Sequence, residues 1–128
     1  MGLHTIPLAK LVGENGRVAA FEPLPFICSH LREITKGMRQ VDVWDAALSE
    51  WDCKRPFVEI VDAPWLSSAK ARHLGEPHQT RTITVQHHRL DQYAFWPTTF
   101  IKLDLEGGEY HALAGGERLL ETPPPVLP

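Results

Sequence analysis

The stretch Phe100-Ile101-Lys102-Leu103-Asp104-Leu105-Glu106-Gly107-Gly108-Glu109 carries the most information about fold and function in this chain. A short apolar run bears a lysine and a carboxylate near its end, a second carboxylate follows, and two glycines come next. Charged groups are costly to bury inside an apolar run, so they belong at a strand end or in a pocket. The pattern predicts a strand over 99–105 and a helix over 107–120, interrupted at Gly115-Gly116. Open α/β sheets present their reactive groups in this way, at the carboxyl edge.

Composition narrows the class of protein. A length of 128 residues predicts one domain over 1–128. The formal charge of −3 shows no excess of basic residues, so a nucleic-acid partner is not expected. No apolar run is long enough for a membrane span and no secretory signal begins the chain. Two cysteines, Cys28 and Cys53, outside any metal-type spacing indicate reduced thiols and a cytoplasmic location.

The rest of the chain alternates helix and strand patterns. That alternation predicts an α/β fold with a mainly parallel sheet and right-handed crossovers. A pair of strands around a polar loop at 62–79 predicts a small antiparallel excursion at about 55–88. The predicted elements are a helix over 3–12, a strand over 17–22, a helix up to Gly37, strands over 41–47, 57–61 and 80–85, and a short helix over 90–94.

Glu22 ends the strand predicted over 17–22 and is followed by Pro23. An acidic residue in this position of a nucleotide-binding α/β unit accepts hydrogen bonds from both ribose hydroxyls. Two carboxylate oxygens suit a vicinal diol, because each accepts one O–H donor. The alternative is a solvated glutamate at a strand end. Position alone leaves both open.

The carboxylates Asp104 and Glu106 form the second candidate site. If the strand persists to Glu106, the two carboxylates and Lys102 share one face. Neighbouring carboxylates can raise one another's pKa and create a base, or can bind a hard cation such as Mg²⁺; the residues do not establish a metal. The alternative role is capping and complementation of the helix dipole at the start of the helix over 107–120. Glu109 is interpreted as a first-turn helix carboxylate and His111 as a surface histidine. His87 and His88 are adjacent on a strand and so point to opposite faces, which makes them a poor metal pair and favours a solvated strand end.

Several motifs resemble the FkbM-type S-adenosylmethionine-dependent methyltransferase domain. The resemblance runs from Gly2 to about Leu127, and residues 50–88 match only in length and character. Its strongest part is Ile101-Lys102-Leu103-Asp104-Leu105-Glu106-Gly107-Gly108-Glu109-Tyr110, which is similar to the family signature I-K-I-D-V-E-G-A-E. Further matches are the stretch from Leu8 to Pro23, Asp45-Ala46-Ala47-Leu48-Ser49, Leu90-Asp91, Leu113, Gly115 and Leu119-Leu120.

The resemblance implies a class I, Rossmann-like methyltransferase with S-adenosyl-L-methionine as cofactor. It implies transfer of a methyl group to a hydroxyl of a small molecule or sugar. The implied catalytic residues are Asp104, Glu106 and Lys102. The implied cofactor-binding residues are Gly2, His4, Thr5, Glu22, Pro23, Asp45, Ala46, Ala47 and Asp104. Among them, Asp45, Ala46 and Ala47 are implied to contact adenine, and the alternative role of Thr5 is to cap the first helix.

The chain departs from the family pattern at both ends. Gly2 resembles the last glycine of the family's glycine-rich loop, while the first strand, the earlier glycines and the final strands are absent from the sequence. A truncated domain of this kind is expected to bind the cofactor weakly or not at all. The alternative function is therefore an inactive methyltransferase-like fragment, or an interaction module in which a homodimer rebuilds the sheet. An NAD or nucleotide-sugar protein would need a fuller G-x-G-x-x-G loop.

Overall fold

The computed structural model describes residues 2–67, 78–93 and 97–121. Backbone contacts divide the chain into two units, 1–46 and 47–128. Each unit contains helices and strands, as predicted for an α/β chain. Residues 68–77 of the predicted loop and Ala94 of the predicted short helix lie outside the described residues. Within the described segments, no helix is long and apolar enough to cross a membrane.

The first unit consists of two helices and two parallel strands. They are α1 (Thr5–Val12), β1 (Val18–Phe21), α2 (Pro25–Ile34) and β2 (Val41–Trp44). β1 and β2 pair in parallel from Val18 opposite Val41 to Phe21 opposite Trp44. The nearly continuous apolar run of β1 fits a strand of a parallel sheet, as predicted. The predicted helices and the first predicted strand are therefore confirmed, with ends shifted by one to three residues.

Helix α2 begins and ends at residues whose side chains explain its limits. Pro25 occupies the first helical turn, where a missing N–H costs little. At the other end the hydroxyl of Thr35 donates to the carbonyl of Leu31 at 2.7 Å. The helix ends before this threonine, so Gly37, the predicted stop, lies beyond its last turn. Cys28 and Leu31 form the buried face.

The second unit contains a three-stranded sheet. Its strands are β3 (Ala47–Leu48), β4 (Cys53–Ile60) and β5 (Thr80–His88), in the order β3-β5-β4. β4 and β5 pair antiparallel from Cys53–His87 to Ile60–Thr80, which confirms the predicted excursion. β3 and β5 pair in parallel over only two positions. The described sheets are thus small and mixed, with two parallel pairings and one longer antiparallel pairing, and a mainly parallel sheet stays a prediction.

Two predicted strands differ from the structure. The strand predicted over 41–47 is divided, because β2 ends at Trp44 and β3 begins at Ala47 in a different sheet. The strand predicted over 99–105 is not formed as a ladder, and only Phe100 makes a bridge within that range. Burial still alternates along it, with Ile101, Leu103 and Leu105 half-buried. The side-chain pattern of a strand is therefore present, while no ladder joins this run to another described strand.

The predicted helix over 107–120 is interrupted at the predicted place. It consists of α3 (Glu109–Ala114) and α4 (Glu117–Glu121), with Gly115-Gly116 between them. A Cβ atom on Gly115 would lie 2.1 Å from the carbonyl oxygen of Ser49, and one on Gly116 would lie 3.0 Å from Cβ of Leu90. Glycine is required here because the backbone is closely approached on both sides.

Asp91 connects the short 3₁₀ helix Leu90–Tyr93 to α4. Its Oδ1 accepts the backbone N–H of Leu119 at 3.0 Å, and its own N–H donates to the carbonyl of Gly115 at 2.9 Å. Leu119 lies in the first turn of α4, where N–H groups lack helical partners. The carboxylate thus caps a helix that lies far along the chain from Asp91.

Replacement of Asp91 with alanine is expected to lower the free energy of unfolding by about 1–2 kcal/mol, the usual cost of a lost helix cap. Urea denaturation measures the change. Asp42→Ala is the matched control, because the Asp42–Arg17 pair is exposed and 3.4 Å long. Such a pair contributes well under about 1 kcal/mol. Equal destabilisation by the two variants would contradict the capping role.

Candidate functional site

Glu22 is held at the carboxyl end of β1 by two hydrogen bonds. Its backbone N–H donates to the carbonyl of Trp44 at 3.0 Å, which continues the pairing of β1 with β2 by one residue. Its side-chain Oε1 accepts the N–H of Leu24 at 2.9 Å, across the half-buried Pro23. The turn after β1 therefore folds back onto the carboxylate and fixes one of its two oxygens.

The environment of Glu22 disfavours its charge. Burial is the largest influence and raises the pKa of Glu22; the hydrogen bond from Leu24 lowers it, and the negative charge of Asp45 raises it further. The net effect is a pKa above the ordinary value of a glutamate. A half-buried carboxylate with a single backbone donor has capacity for further O–H donors. This is the donor set that a ribose diol supplies.

The other predicted cofactor residues near the start of the chain have less defined roles. Gly2 adopts a φ of +71°, and a Cβ there would lie 2.8 Å from Cδ1 of Ile34. His4 is exposed and occupies the N-cap position of α1, where no side-chain cap is formed. The alternative in which the Thr5 hydroxyl caps this helix is wrong, because Thr5 is already its first helical residue.

The residues predicted to contact adenine differ in accessibility. Asp45 is exposed, whereas Ala46 and Ala47 are only 1% and 8% exposed. The methyl groups of Ala46 and Ala47 are buried inside the protein, so a ligand at these positions would contact the backbone rather than the side chains. Contact of adenine with these three residues stays a prediction.

In the second unit, Lys102 and Asp104 are both exposed and alternate with the half-buried Ile101, Leu103 and Leu105. Lys102 Nζ donates to the carbonyl of Leu103 at 3.0 Å rather than to a carboxylate. The run ends at Glu106, whose φ of 52° is in the left-handed region, and Gly107 follows with a φ of 94°. The condition for Asp104 and Glu106 to share a face, a strand that continues to Glu106, is therefore not met.

Glu109 organises this turn. Its Oε1 accepts the N–H of Leu105 at 2.9 Å and the N–H of Gly107 at 3.3 Å. Glu109 is also the first residue of α3, as predicted for a first-turn carboxylate. The N-cap residue is Gly108 and no side-chain cap hydrogen bond is formed, so a cap by Asp104 or Glu106 is wrong, whereas complementation of the helix dipole by these carboxylates stays a prediction.

A pair that the sequence did not indicate lies between Glu50 and His111. His111 Nδ1 is 3.1 Å from Glu50 Oε1, and the two residues are 61 positions apart in the chain. The imidazole is 34% exposed and the carboxylate 32% exposed. The pair was missed because a local pattern cannot show a contact over this separation, and His111 was interpreted as a surface histidine.

The adjacent histidines of β5 point to opposite faces, as predicted. His88 Nδ1 lies 2.6 Å from the hydroxyl of Tyr93. His87 is only 3% exposed, and neither of its ring nitrogens has a hydrogen-bond partner among the described residues. The prediction of a solvated strand end is wrong for His87, because the pairing with Cys53 on β4 and Ala47 on β3 encloses it. No described group of three or more residues could hold a metal ion.

His87 is expected to make the protein sensitive to acid. Burial lowers the pKa of His87, and the charges of Arg55 and His88 lower it further. The folded state therefore favours the neutral ring. The contribution of His87 to the free energy of unfolding is largest above the ordinary histidine pKa of about 6.5, and it decreases as the pH drops below that value. His87→Leu removes this loss and reduces the slope of unfolding free energy against pH by up to about 1.4 kcal/mol per pH unit.

Urea denaturation between pH 5 and 8 tests this expectation. The matched control is His30→Leu, since His30 is exposed on α2. The His87 variant should show a smaller slope than the unaltered protein, and the His30 variant should keep the slope of the unaltered protein. An unchanged slope in the His87 variant would contradict the assignment.

The described chain is an α/β protein in which the carboxylates Glu22 and Asp45 directly follow the parallel strands β1 and β2, and proteins of this class bind ligands at strand ends. A family model described as the Methyltransferase FkbM domain matches residues 2–127. The chain therefore belongs to the FkbM methyltransferase family, and the resemblance drawn from its motifs is confirmed. No curated protein and no solved structure gives a significant match.

Proposed function

We propose that this chain binds S-adenosyl-L-methionine, with Glu22 accepting the ribose hydroxyls, and transfers a methyl group to a hydroxyl of a small molecule or sugar. Membership of the FkbM family supports methyl transfer. The observation that carries the cofactor assignment is the half-buried carboxylate of Glu22, fixed by Leu24 at the end of β1. A class I, Rossmann-like arrangement is part of the same proposal.

The carboxylate of Glu22 supports the assignment of the adenosyl group to the first unit. Two hydroxyl donors would compensate the charge that burial disfavours on Glu22, since hydrogen bonds to the ionised form favour it. S-adenosyl-L-methionine supplies a methyl group on an activated sulfonium, so the protein mainly has to bind and orient the reactants. Asp104, exposed after the alternating run, is assigned to the acceptor, with Glu106 and Lys102 as its neighbours in sequence.

The competing interaction-module hypothesis receives no support from the edge strand β4. In the sheet β3-β5-β4, β4 is an outer strand of the described residues and carries Lys54 and Pro56. Lysine and proline on an edge disfavour pairing with a second chain, because the charge must stay solvated and proline lacks an N–H. We expect a monomer in sedimentation at micromolar concentration.

Ligand binding tests the proposal against an NAD or nucleotide-sugar protein. Calorimetric titrations with S-adenosylhomocysteine, NAD⁺ and UDP-glucose at equal concentrations compare three ligands that all contain a ribose. The proposal predicts measurable binding of S-adenosylhomocysteine alone. Tighter binding of NAD⁺ or UDP-glucose would overturn it.

A further inference from the structure

The Glu50–His111 pair lies in a rigid part of the second unit. Ser49 is buried, and its N–H donates to the carbonyl of His88 at 2.9 Å. Its Oγ lies 3.1 Å from both the carbonyl oxygen and the N–H nitrogen of Trp51. On the other side, Gly115 is packed directly against the carbonyl of Ser49. The backbone on both sides of Glu50 is therefore fixed by contacts that do not involve the pair itself.

The pair also lies at the edge of the sheet where an α/β protein binds ligands. β3 and β5 run in parallel, and they end at Leu48 and His88, which are opposite each other. Glu50 follows the end of β3 by two residues. Ligands of α/β sheets bind beyond the carboxyl ends of the strands. A second carboxylate–histidine pair, Asp62–His78 at 2.9 Å, lies at the opposite edge, where the antiparallel strand β4 ends and β5 begins.

The chemistry of the two partners fixes the proton on the imidazole. An ionised carboxylate only accepts hydrogen bonds, so the neutral ring must carry its hydrogen on Nδ1, facing Glu50. Nε2 then holds a lone pair. With a third of the side chain open to solvent, the ring is accessible to a reactant. A carboxylate that orients a histidine in this way is a common arrangement for a general base.

We infer that His111, oriented by Glu50, is the general base that accepts the proton of the acceptor hydroxyl. This inference rests on the proposed methyl-transfer function. The hydroxyl proton moves to Nε2 of His111 while the hydroxyl oxygen forms a bond to the methyl carbon. The methyl–sulfur bond breaks and its electron pair stays on sulfur, which leaves a methyl ether, neutral S-adenosylhomocysteine and an imidazolium that returns its proton to water.

The tautomer of His111 gives the first test and needs no acceptor. Long-range ¹H–¹⁵N NMR of the full chain should show hydrogen on Nδ1 of His111 at neutral pH. Glu50→Ala should move it to Nε2. Hydrogen on Nε2 in the unaltered protein would overturn the inference, because that nitrogen could not accept a proton.

Turnover gives the second test, with radiolabelled S-adenosyl-L-methionine and a panel of methyl glycosides as hydroxyl acceptors. His111→Gln should reduce turnover about 100-fold or more, the usual contribution of a general base, and leave S-adenosylhomocysteine affinity within about twofold. His78→Gln is the control and should retain full turnover. Unchanged turnover in His111→Gln would overturn the inference about the general base and leave the proposed function standing. Failure of the unaltered chain to bind S-adenosylhomocysteine would reject the proposed function itself.

Discussion

Glu22→Gln is expected to weaken the binding of S-adenosylhomocysteine about 10- to 100-fold. Hydrogen bonds to a charged group contribute about 1.5–3 kcal/mol, and each 1.4 kcal/mol is a factor of ten in affinity. Glutamine keeps the size of the side chain, and its carbonyl can still accept the N–H of Leu24 that Oε1 accepts now. The decrease in affinity therefore measures the contribution of the second carboxylate oxygen and of the negative charge, because the turn after β1 stays intact.

A ligand lacking the hydroxyls separates this role from a general effect on the fold. The 2′,3′-dideoxy analogue of S-adenosylhomocysteine should bind the unaltered chain and Glu22→Gln with similar, low affinity. A double-mutant cycle between protein and ligand then gives the coupling energy directly. Asp42→Asn, on the exposed side of β2, is the control and should change neither affinity. An equal loss for both ligands in Glu22→Gln would contradict direct contact with the diol.

The same carboxylate makes cofactor binding dependent on pH. The ionised form accepts both hydroxyls, and the pKa of Glu22 is raised mainly by burial. Affinity for S-adenosylhomocysteine should therefore fall as the pH drops through a value above that of an ordinary glutamate. Glu22→Gln should remove this dependence. Titrations at a series of pH values measure it.

Gly115→Ala is expected to lower the free energy of unfolding by about 3 kcal/mol. In a solvent-exposed helix, replacing glycine with alanine would raise the free energy of unfolding by up to about 1 kcal/mol. At Gly115 we expect the opposite sign because of the surrounding atoms. The added Cβ would lie 2.1 Å from the carbonyl oxygen of Ser49, and the obstacle is backbone rather than a flexible side chain. Overpacking of this kind costs about 1–3 kcal/mol or more.

Gly37→Ala is the matched control, because a Cβ on Gly37 meets no atom within 4 Å. Its unfolding free energy should change by no more than about 0.5 kcal/mol. Urea denaturation compares the two variants. A neutral effect of Gly115→Ala would contradict the close packing of residues 49 and 115, and with it the rigid placement of Glu50.

The sequence predicted those features that depend on local pattern. The apolar run before Glu22 predicted β1, and the spacing of Ile27, Leu31 and Ile34 predicted α2. Gly115-Gly116 predicted the break between α3 and α4. In each case the residues that determine the element lie within the element itself, so one segment carries the whole signal.

Features that depend on distant partners were not predictable. The run over 99–105 has the alternation of a strand, but a strand also needs a paired neighbour, which alternation does not specify. The contact of Glu50 with His111 depends on how β3 and α3 pack. The turn at Glu106 depends on the bonds that Glu109 makes to Leu105 and Gly107. The family motif identified the region of the site but not the bonds within it.

The contact between Glu22 and the ribose is tested most directly by the amide resonance of Leu24, whose N–H donates to Oε1 of Glu22. Nuclear magnetic resonance is suited to the weak binding that the sequence predicts. Addition of S-adenosylhomocysteine should shift the Leu24 amide in a saturable way, and the dideoxy analogue should leave it nearly unchanged. Saturable binding elsewhere in the chain without any shift at Leu24 would contradict the account.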